Sequence, residues 1–196
     1  MALSDPQAIK ALAHPLRLDL LELLAAIGPA TAAQCGRVLG IPQANCSFHL
    51  RQLAKYGFVE DAGPGTDKRQ RLWQLVAQRG ESYGVAKDVD PVLAREFERV
   101  VVEREARTVL DYLARQTAES DEWRAGSGGM ASTVALSAAE ATELKKQWKE
   151  LLAPFVARTE ANGYRRRPGQ RYFRHFMAAT PLPDINLGDT DHDDPA

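Results

Sequence analysis

From Pro15 to Gly28 the apolar residues Leu16, Leu20, Leu23, Leu24 and Ile27 recur at intervals that keep them on one helix face. Pro15 suits the first helical position, and Gly28-Pro29 stops the pattern. A shorter helix over residues 6–13 precedes it, interrupted by His14-Pro15. Two more short helices follow. Cys35, Val38 and Leu39 mark the first, which Thr31 can cap through its hydroxyl and Gly40 can end with a positive φ. Ile41-Pro42 crosses to the second, where Cys46, Leu50 and Leu53 fall on one side. A helical wheel puts Ala44, Phe48, Arg51 and Lys55 opposite them, flanked by Asn45, Ser47 and Gln52, and Gly57 closes the helix.

The pattern then changes period. Phe58-Val59 and residues 72–76 predict two strands around a Gly63-Pro64-Gly65-Thr66-Asp67 tip, with Lys68, Arg69 and Arg71 beside it. After a polar linker, Asp90-Pro91 opens a helix predicted to run to about Glu119. Its apolar stripe holds Leu93, Phe97, Val100, Val101, Val109, Leu110 and Leu113, with Arg104 as a polar break. A second copy of the chain is the expected cover for that stripe. Beyond Gly126-Ser127-Gly128-Gly129, residues 130–136 read as a strand and Ser137-Ala138-Ala139-Glu140 as a capping box. The helix it opens points Leu144, Trp148, Leu151, Leu152 and Phe155 inward and kinks at Pro154; residues 172–178 read as a strand pairing with 130–136. The acidic, apolar-poor end predicts a disordered tail over 184–196.

The expected class is mainly α with some β. A winged helix-turn-helix domain (1–79) precedes a long dimerisation helix and a small strand-helix-strand module (80–183). The polar face of the second short helix and the basic hairpin together suit double-stranded DNA. Asn45 and Arg51 can reach base edges, Phe48 can touch thymine methyl groups, and Lys68, Arg69 and Arg71 can meet phosphates. His49, on the flank of the buried face, can position the helix by a phosphate contact. With these stand Thr31, Gln43, Ala44, Ser47 and Lys55 as candidate DNA-binding residues.

LAHPLRLDLLELL, then TAAQCGRVLGIPQANCSFHLRQLAKYGFVE, then the basic hairpin, resemble the ArsR family of winged-helix transcriptional regulators over residues 5–77. That family opens its second helix with an Asp/His-Pro-x-Arg phrase, matched by His14-Pro15-Leu16-Arg17. Its recognition helix typically reads Ser-Gln-Pro-Thr-Val-Ser-Arg-His-Leu-x-x-Leu. Gln43, Ser47, His49, Leu50 and Leu53 match, while Phe48 departs where members often carry Arg. The resemblance implies a homodimeric DNA-binding regulator. It also brings up metal sensing, which the family performs with a cysteine pair on the first helix of the motif or with His and carboxylate pairs on the dimerisation helix. Cys35 stands alone on its helix, residues 90–119 hold no His or Cys, and His14, His175 and His192 are scattered. No metal and no cofactor are expected.

Net charge alters this picture only through its distribution. The whole chain carries -1, but up to Arg79 nine basic residues stand against six acids, leaving +3 there and -4 beyond. Hydrophobic residues make up 44% and charged residues 26%, the profile of a soluble globular chain. LDLLELLAAIG is interrupted by Asp19 and Glu22, so no membrane span is expected, and MALSDPQAIK lacks a secretory pattern. Cys35 and Cys46 on buried faces fit reduced thiols in the cytoplasm. Trp123, Trp148, Phe155, Tyr172 and Phe176 either form a packing core or line a pocket for a small apolar or aromatic effector. No phosphate-cradling glycine loop, nucleophile elbow or metal-hydrolase spacing is present, so an enzyme is not expected. An interaction module or an architectural DNA binder without effector control is the competing class.

Overall fold

Asp5 begins the first helix by accepting a hydrogen bond from the Gln7 amide at 2.9 Å, with Pro6 in the first turn. In the computed structural model, which describes residues 2–65, 70–76, 84–163 and 165–183, this helix, α1, spans Pro6–Leu12. α2 spans Pro15–Ile27, and His14 is its cap, the ring Nδ1 accepting from the Leu16 amide at 3.2 Å. α3 is Ala32–Leu39 and α4 is Gln43–Lys55. These four helices bury one apolar core. Ile9, Leu12, Leu20, Cys35, Cys46, Leu50 and Leu53 all reach 0% exposure, with Phe58 added from the start of the hairpin.

Three short strands close the domain. β2 (Ala30–Thr31), β4 (Arg71–Leu75) and β3 (Val59–Pro64) form an antiparallel sheet in the order β2-β4-β3. Val59 pairs with Leu75 and Asp61 with Trp73, and the register shifts before Pro64 meets Arg71. Strand β3 therefore runs into the Gly63-Pro64 stretch expected as turn. Lys68, Arg69 and the Thr66-Asp67 end of the tip lie outside the described residues. A two-residue parallel pair, β1 (Ala2–Leu3) with β5 (Gly84–Val85), was not legible in the pattern; it fastens the start of the chain to the segment that leads into the helix beginning at Pro91.

α5 spans Pro91–Arg115, capped by Asp90, whose carboxylate accepts from the Val92 and Leu93 amides. It ends before the expected Glu119. A 3-10 turn at Gln116–Ala118 follows, and then a new helix, α6 (Asp121–Ala125), with Asp121 and Glu122 in its first turn. Acidic residues there favour a fresh helix start over continuation of the old one.

The last helix, α7 (Ala138–Ala161), opens on the expected capping box and continues through Pro154. Its Ser137 hydroxyl accepts from the Glu140 amide, while the Ser137 amide donates to the Glu140 carboxylate at 2.7 Å. The helix nevertheless buries no residue, and Leu144, Leu151 and Phe155 are half exposed or more rather than inward. The expected strands at 130–136 and 172–178 are absent: neither segment takes strand structure. α7, about 36 Å long at 1.5 Å per residue, stands between them in the chain. The later segment is instead held elsewhere, since the Tyr172 hydroxyl donates to the Ala26 carbonyl and Arg174 pairs with Glu22 and Glu105. A strand without a partner leaves its backbone groups unpaired, so both segments stay irregular. The class remains mainly α with a small antiparallel sheet. The predicted tail over 184–196 lies outside the described residues.

Candidate nucleic-acid interface

The turn between α3 and α4 sets the pose of the exposed helix. Thr31 caps α3 with its hydroxyl accepting from the Gln34 amide at 3.2 Å, and Gln34 returns a contact to the Thr31 amide at 2.7 Å. Gly40 ends α3 in the left-handed conformation, at φ 68°. Gly36 serves a different need: a Cβ there would sit 2.5 Å from the Ile41 carbonyl oxygen, so the incoming turn can pass only over a glycine. Nothing in the hydrophobic pattern marked Gly36, because the constraint comes from a neighbour five residues on.

Cys46, Leu50 and Leu53 fix α4 in the core at 0% exposure. Gln43, Ala44, Asn45, Phe48, Arg51 and Lys55 are exposed on its outer side, and Ser47, His49 and Gln52 are half-buried at its flanks. The helix therefore presents an amide, a guanidinium, an ammonium and an aromatic ring on one face, Phe48 being 52% exposed. Thr31 does not join them. It is 7% exposed, and its hydroxyl oxygen accepts the cap bond from Gln34, so it is set back from the outer face of α4. In the hairpin, Arg71 is exposed, pairs with Asp61 at 3.1 Å and lies over the Trp73 ring at 5.8 Å.

A row of rings extends from this face to the start of α2. Phe48 meets His49 edge-on with centroids 5.2 Å apart, and His49 lies 4.4 Å from His14. Arg17 is beside them. Burial holds both histidines below the ordinary imidazole range, and the Arg17 charge depresses each further; Asp19 opposes this weakly at His14. His49 Nδ1 and Arg17 Nε are buried without a hydrogen-bond partner among the described residues. The pattern registered His14 and Arg17 only as parts of a helix-opening phrase; their convergence with His49 depends on how α2 crosses α4.

The stripe on α5 divides in two. Phe97 and Val100 are buried, and Leu93 and Val101 partly so, against the helices of the same chain. These four, expected at a dimer contact, instead join the core of their own chain, because α5 packs directly on α1 and α2. Val109, Leu110 and Leu113 remain 46%, 64% and 48% exposed. Arg104, the polar break, lies between the halves. Its guanidinium donates to Asp19 at 2.7 Å, to Glu105 at 2.8 Å and to Glu22, and Arg174 closes the cluster from the C-terminal segment. Burial pushes the Glu105 carboxyl above its ordinary range even though Arg104 pulls it down.

Of the five aromatic residues considered for a pocket, Trp123 and Trp148 are joined in one row of rings through Phe173 and His175, which stack at 6.3 Å. Trp123 packs against Phe173 at 5.7 Å with Arg171 over its ring, and Trp148 meets His175 edge-on at 6.4 Å. Phe155 lies under Arg158, Tyr172 reaches back to Ala26, and Phe176 is 40% exposed. Cys35 and Cys46 are free and fully buried; burial pushes the Cys35 thiol up to about 11 and raises Cys46 as well. No helix among the described residues is long and apolar enough to cross a membrane.

A family model described as a helix-turn-helix domain matches residues 12–62, which places α2, α3, α4 and the start of the hairpin in a helix-turn-helix domain. No curated protein matches the chain. Among solved structures, a mutant MarR from E. coli is 17% identical, with 69% of this chain and 75% of that one covered at a TM-score of 0.31. A mutant MarR from E. coli complexed with operator DNA shares 16% identity over 74% of this chain and 85% of that one, TM-score 0.32. A transcriptional regulator from Thermotoga maritima shares 13% over 74% and 79%, TM-score 0.32.

Proposed function

We propose that a chain built on this helix-turn-helix domain is a sequence-specific DNA-binding transcriptional regulator of the ArsR type, acting as a homodimeric repressor. The observation that carries the reading is the outer face of α4. Asn45, Phe48, Arg51 and Lys55 stand exposed on a helix that Cys46, Leu50 and Leu53 lock in place, beside a hairpin carrying exposed Arg71. A rigid helix with donors and a ring on one face meets the requirements for reading a major groove. Arg51 would donate to a guanine edge, Asn45 would bond an adenine, and Phe48 would rest on thymine methyl groups. Arg71, with Lys68 and Arg69, would lie along the flanking backbone.

Val109, Leu110 and Leu113 on α5, with Leu144, Leu151 and Phe155 on α7, are the surfaces a second copy would cover. A dimer would then set two recognition helices about one helical turn of DNA apart. A non-metal, apolar or aromatic effector would act through the Trp123, Phe173, His175 and Trp148 rings, which sit on the segments nearest that dimer surface in sequence.

Selection of bound duplexes from a random pool by the purified protein tests this. The expected outcome is a short inverted repeat, with Arg51→Ala losing about 1–3 kcal/mol on that repeat and little on random duplex. Recovery of unselected sequence overturns the specific reading and leaves an architectural role. Absence of duplex binding makes the domain a protein-interaction module.

A further inference from the structure

At the junction of α2 and α4 three side chains bring hydrogen-bond donors together, and Arg17 Nε meets no acceptor among the described residues. The His14 Nδ1 accepts from the Leu16 amide, so in the neutral ring the proton sits on Nε2, which becomes a donor. His49 Nδ1 is buried without a partner. A proton there would be a buried unsatisfied donor and a lone pair there a buried unsatisfied acceptor, so a contact with an outside anion requires the hydrogen on Nε2. Arg17 adds a guanidinium whose Nε is likewise buried and unpartnered. The neighbouring charges do not neutralise it. Asp19 is bound by Arg104 at 2.7 Å, Tyr56 beside Arg17 offers a hydroxyl, and α1 buries only Ala8, Ile9, Ala11 and Leu12 and leaves Lys10 exposed. All three residues are half-buried, so the cluster opens to the surface.

What approaches such a cluster is an anion with several acceptor oxygens. Its position narrows the class. The ring row Phe48, His49, His14 leads directly from the outer face of α4 to the cap of α2, at centroid separations of 5.2 and 4.4 Å. A duplex whose groove receives α4 would bring a backbone strand along that row. The amides of the first turn of α2 are already engaged, the Leu16 amide by the His14 ring and the Arg17 amide by the His14 carbonyl at 3.0 Å. Any anion held there is therefore held by side chains.

We propose that His14, Arg17 and His49 form a seat for one backbone phosphodiester of duplex DNA, which fixes how α2 and α4 lie across the strand. The seat rests on the DNA-binding reading above and adds a second anchor to it, on the side of α4 opposite Ser47 and Arg51. It carries no sequence information. Its contribution is register: a phosphate clamped at the cap of α2 sets how deeply Asn45, Phe48 and Arg51 enter the groove.

The test uses the full chain and its selected duplex, with single phosphates replaced one at a time by neutral methylphosphonates. In the wild type one position per half-site should weaken binding about tenfold, the scale of a lost charge-assisted hydrogen bond. In Arg17→Gln, or Arg17→Met should the first variant not fold, the same replacement should have no further effect. The salt dependence of Arg17→Gln should also be shallower by about one unit of log K per log salt, as expected for one lost phosphate contact. His14→Asn separates the seat from the cap, because Asn is a good N-cap and keeps α2 begun while removing the imidazole donor. It should melt within a few degrees of wild type yet bind several-fold more weakly, with the same phosphate position silenced. Independent, additive losses from Arg17→Gln and every modified phosphate would overturn the seat while leaving DNA binding intact. So would wild-type affinity in His14→Asn. Absence of any duplex binding by the wild type overturns the reading beneath it.

Discussion

Replacing Arg104 by methionine removes a cation that reaches three carboxylates at once, Asp19, Glu22 and Glu105. The Arg104 side chain is 10% exposed and that of Glu105 11%, whereas Asp19 and Glu22 keep 39% and 48% of their side chains in water. The solvated pair lose screened contacts worth about 0.2–1 kcal/mol each. Glu105 is different, because a buried charge stripped of its partner costs about 3–5 kcal/mol. That ceiling is not reached. Burial already pushes Glu105 up, which lowers the cost of neutralising it once Arg104 is gone, and Arg174 remains 3.5 Å away. The net loss expected for Arg104→Met is therefore about 3 kcal/mol at pH 7.5, read from urea unfolding so that the denaturant adds no salt. Methionine at both positions 104 and 105 should recover to within about 1 kcal/mol of wild type, since no charge is then buried alone. The sign with pH follows from a folded-state carboxyl raised above its unfolded value. Such a group favours the fold at low pH and loses that contribution as pH rises through its folded value. The deficit of the single variant should accordingly shrink between pH 7.5 and 5.5. A single-variant loss below about 1 kcal/mol, or a double variant worse than the single, would refute the account of a buried, partner-dependent Glu105.

Gly36→Ala places a Cβ 2.5 Å from the Ile41 carbonyl oxygen, so the α3–α4 turn must shift; a loss of about 1–3 kcal/mol is expected in thermal melts, with specific DNA binding falling further than stability. His14 and His49 are held below their unfolded value near 6.5, so the folded protein binds fewer protons than the unfolded chain. Stability should be level above about pH 6.5 and decline below it, and His14→Asn should flatten the decline in urea midpoints taken from pH 7.5 to 5. Cys35 and Cys46 should resist a thiol-titrating reagent in the native state and both react in denaturant; native labelling would contradict their burial.

Local chemistry was enough to determine the helix-turn-helix half of this protein. Thr31, Gly40, Gly57 and Pro15 mark helix ends through hydroxyl, φ and ring constraints that act within a turn, and Cys46, Leu50 and Leu53 fix which side of α4 is buried. Because those rules are short in range, the exposure of Asn45, Phe48 and Arg51 could be read before any packing was known. The C-terminal half was less legible for the opposite reason. An apolar stripe states that a face must be covered but not by what. On α5 the stripe was shared between the chain's own core, at Phe97 and Val100, and solvent, at Leu110. Residues 130–136 and 172–178 have strand-like composition, yet a strand exists only when a second one pairs with it, and here none does. The convergence of His14, Arg17 and His49, the Arg104 cluster that joins residues 85 positions apart, and the need for glycine at 36 were decided by the crossing of elements alone. Each depends on a contact between segments distant along the chain or folded back on each other. Spacing along one segment holds no trace of such contacts.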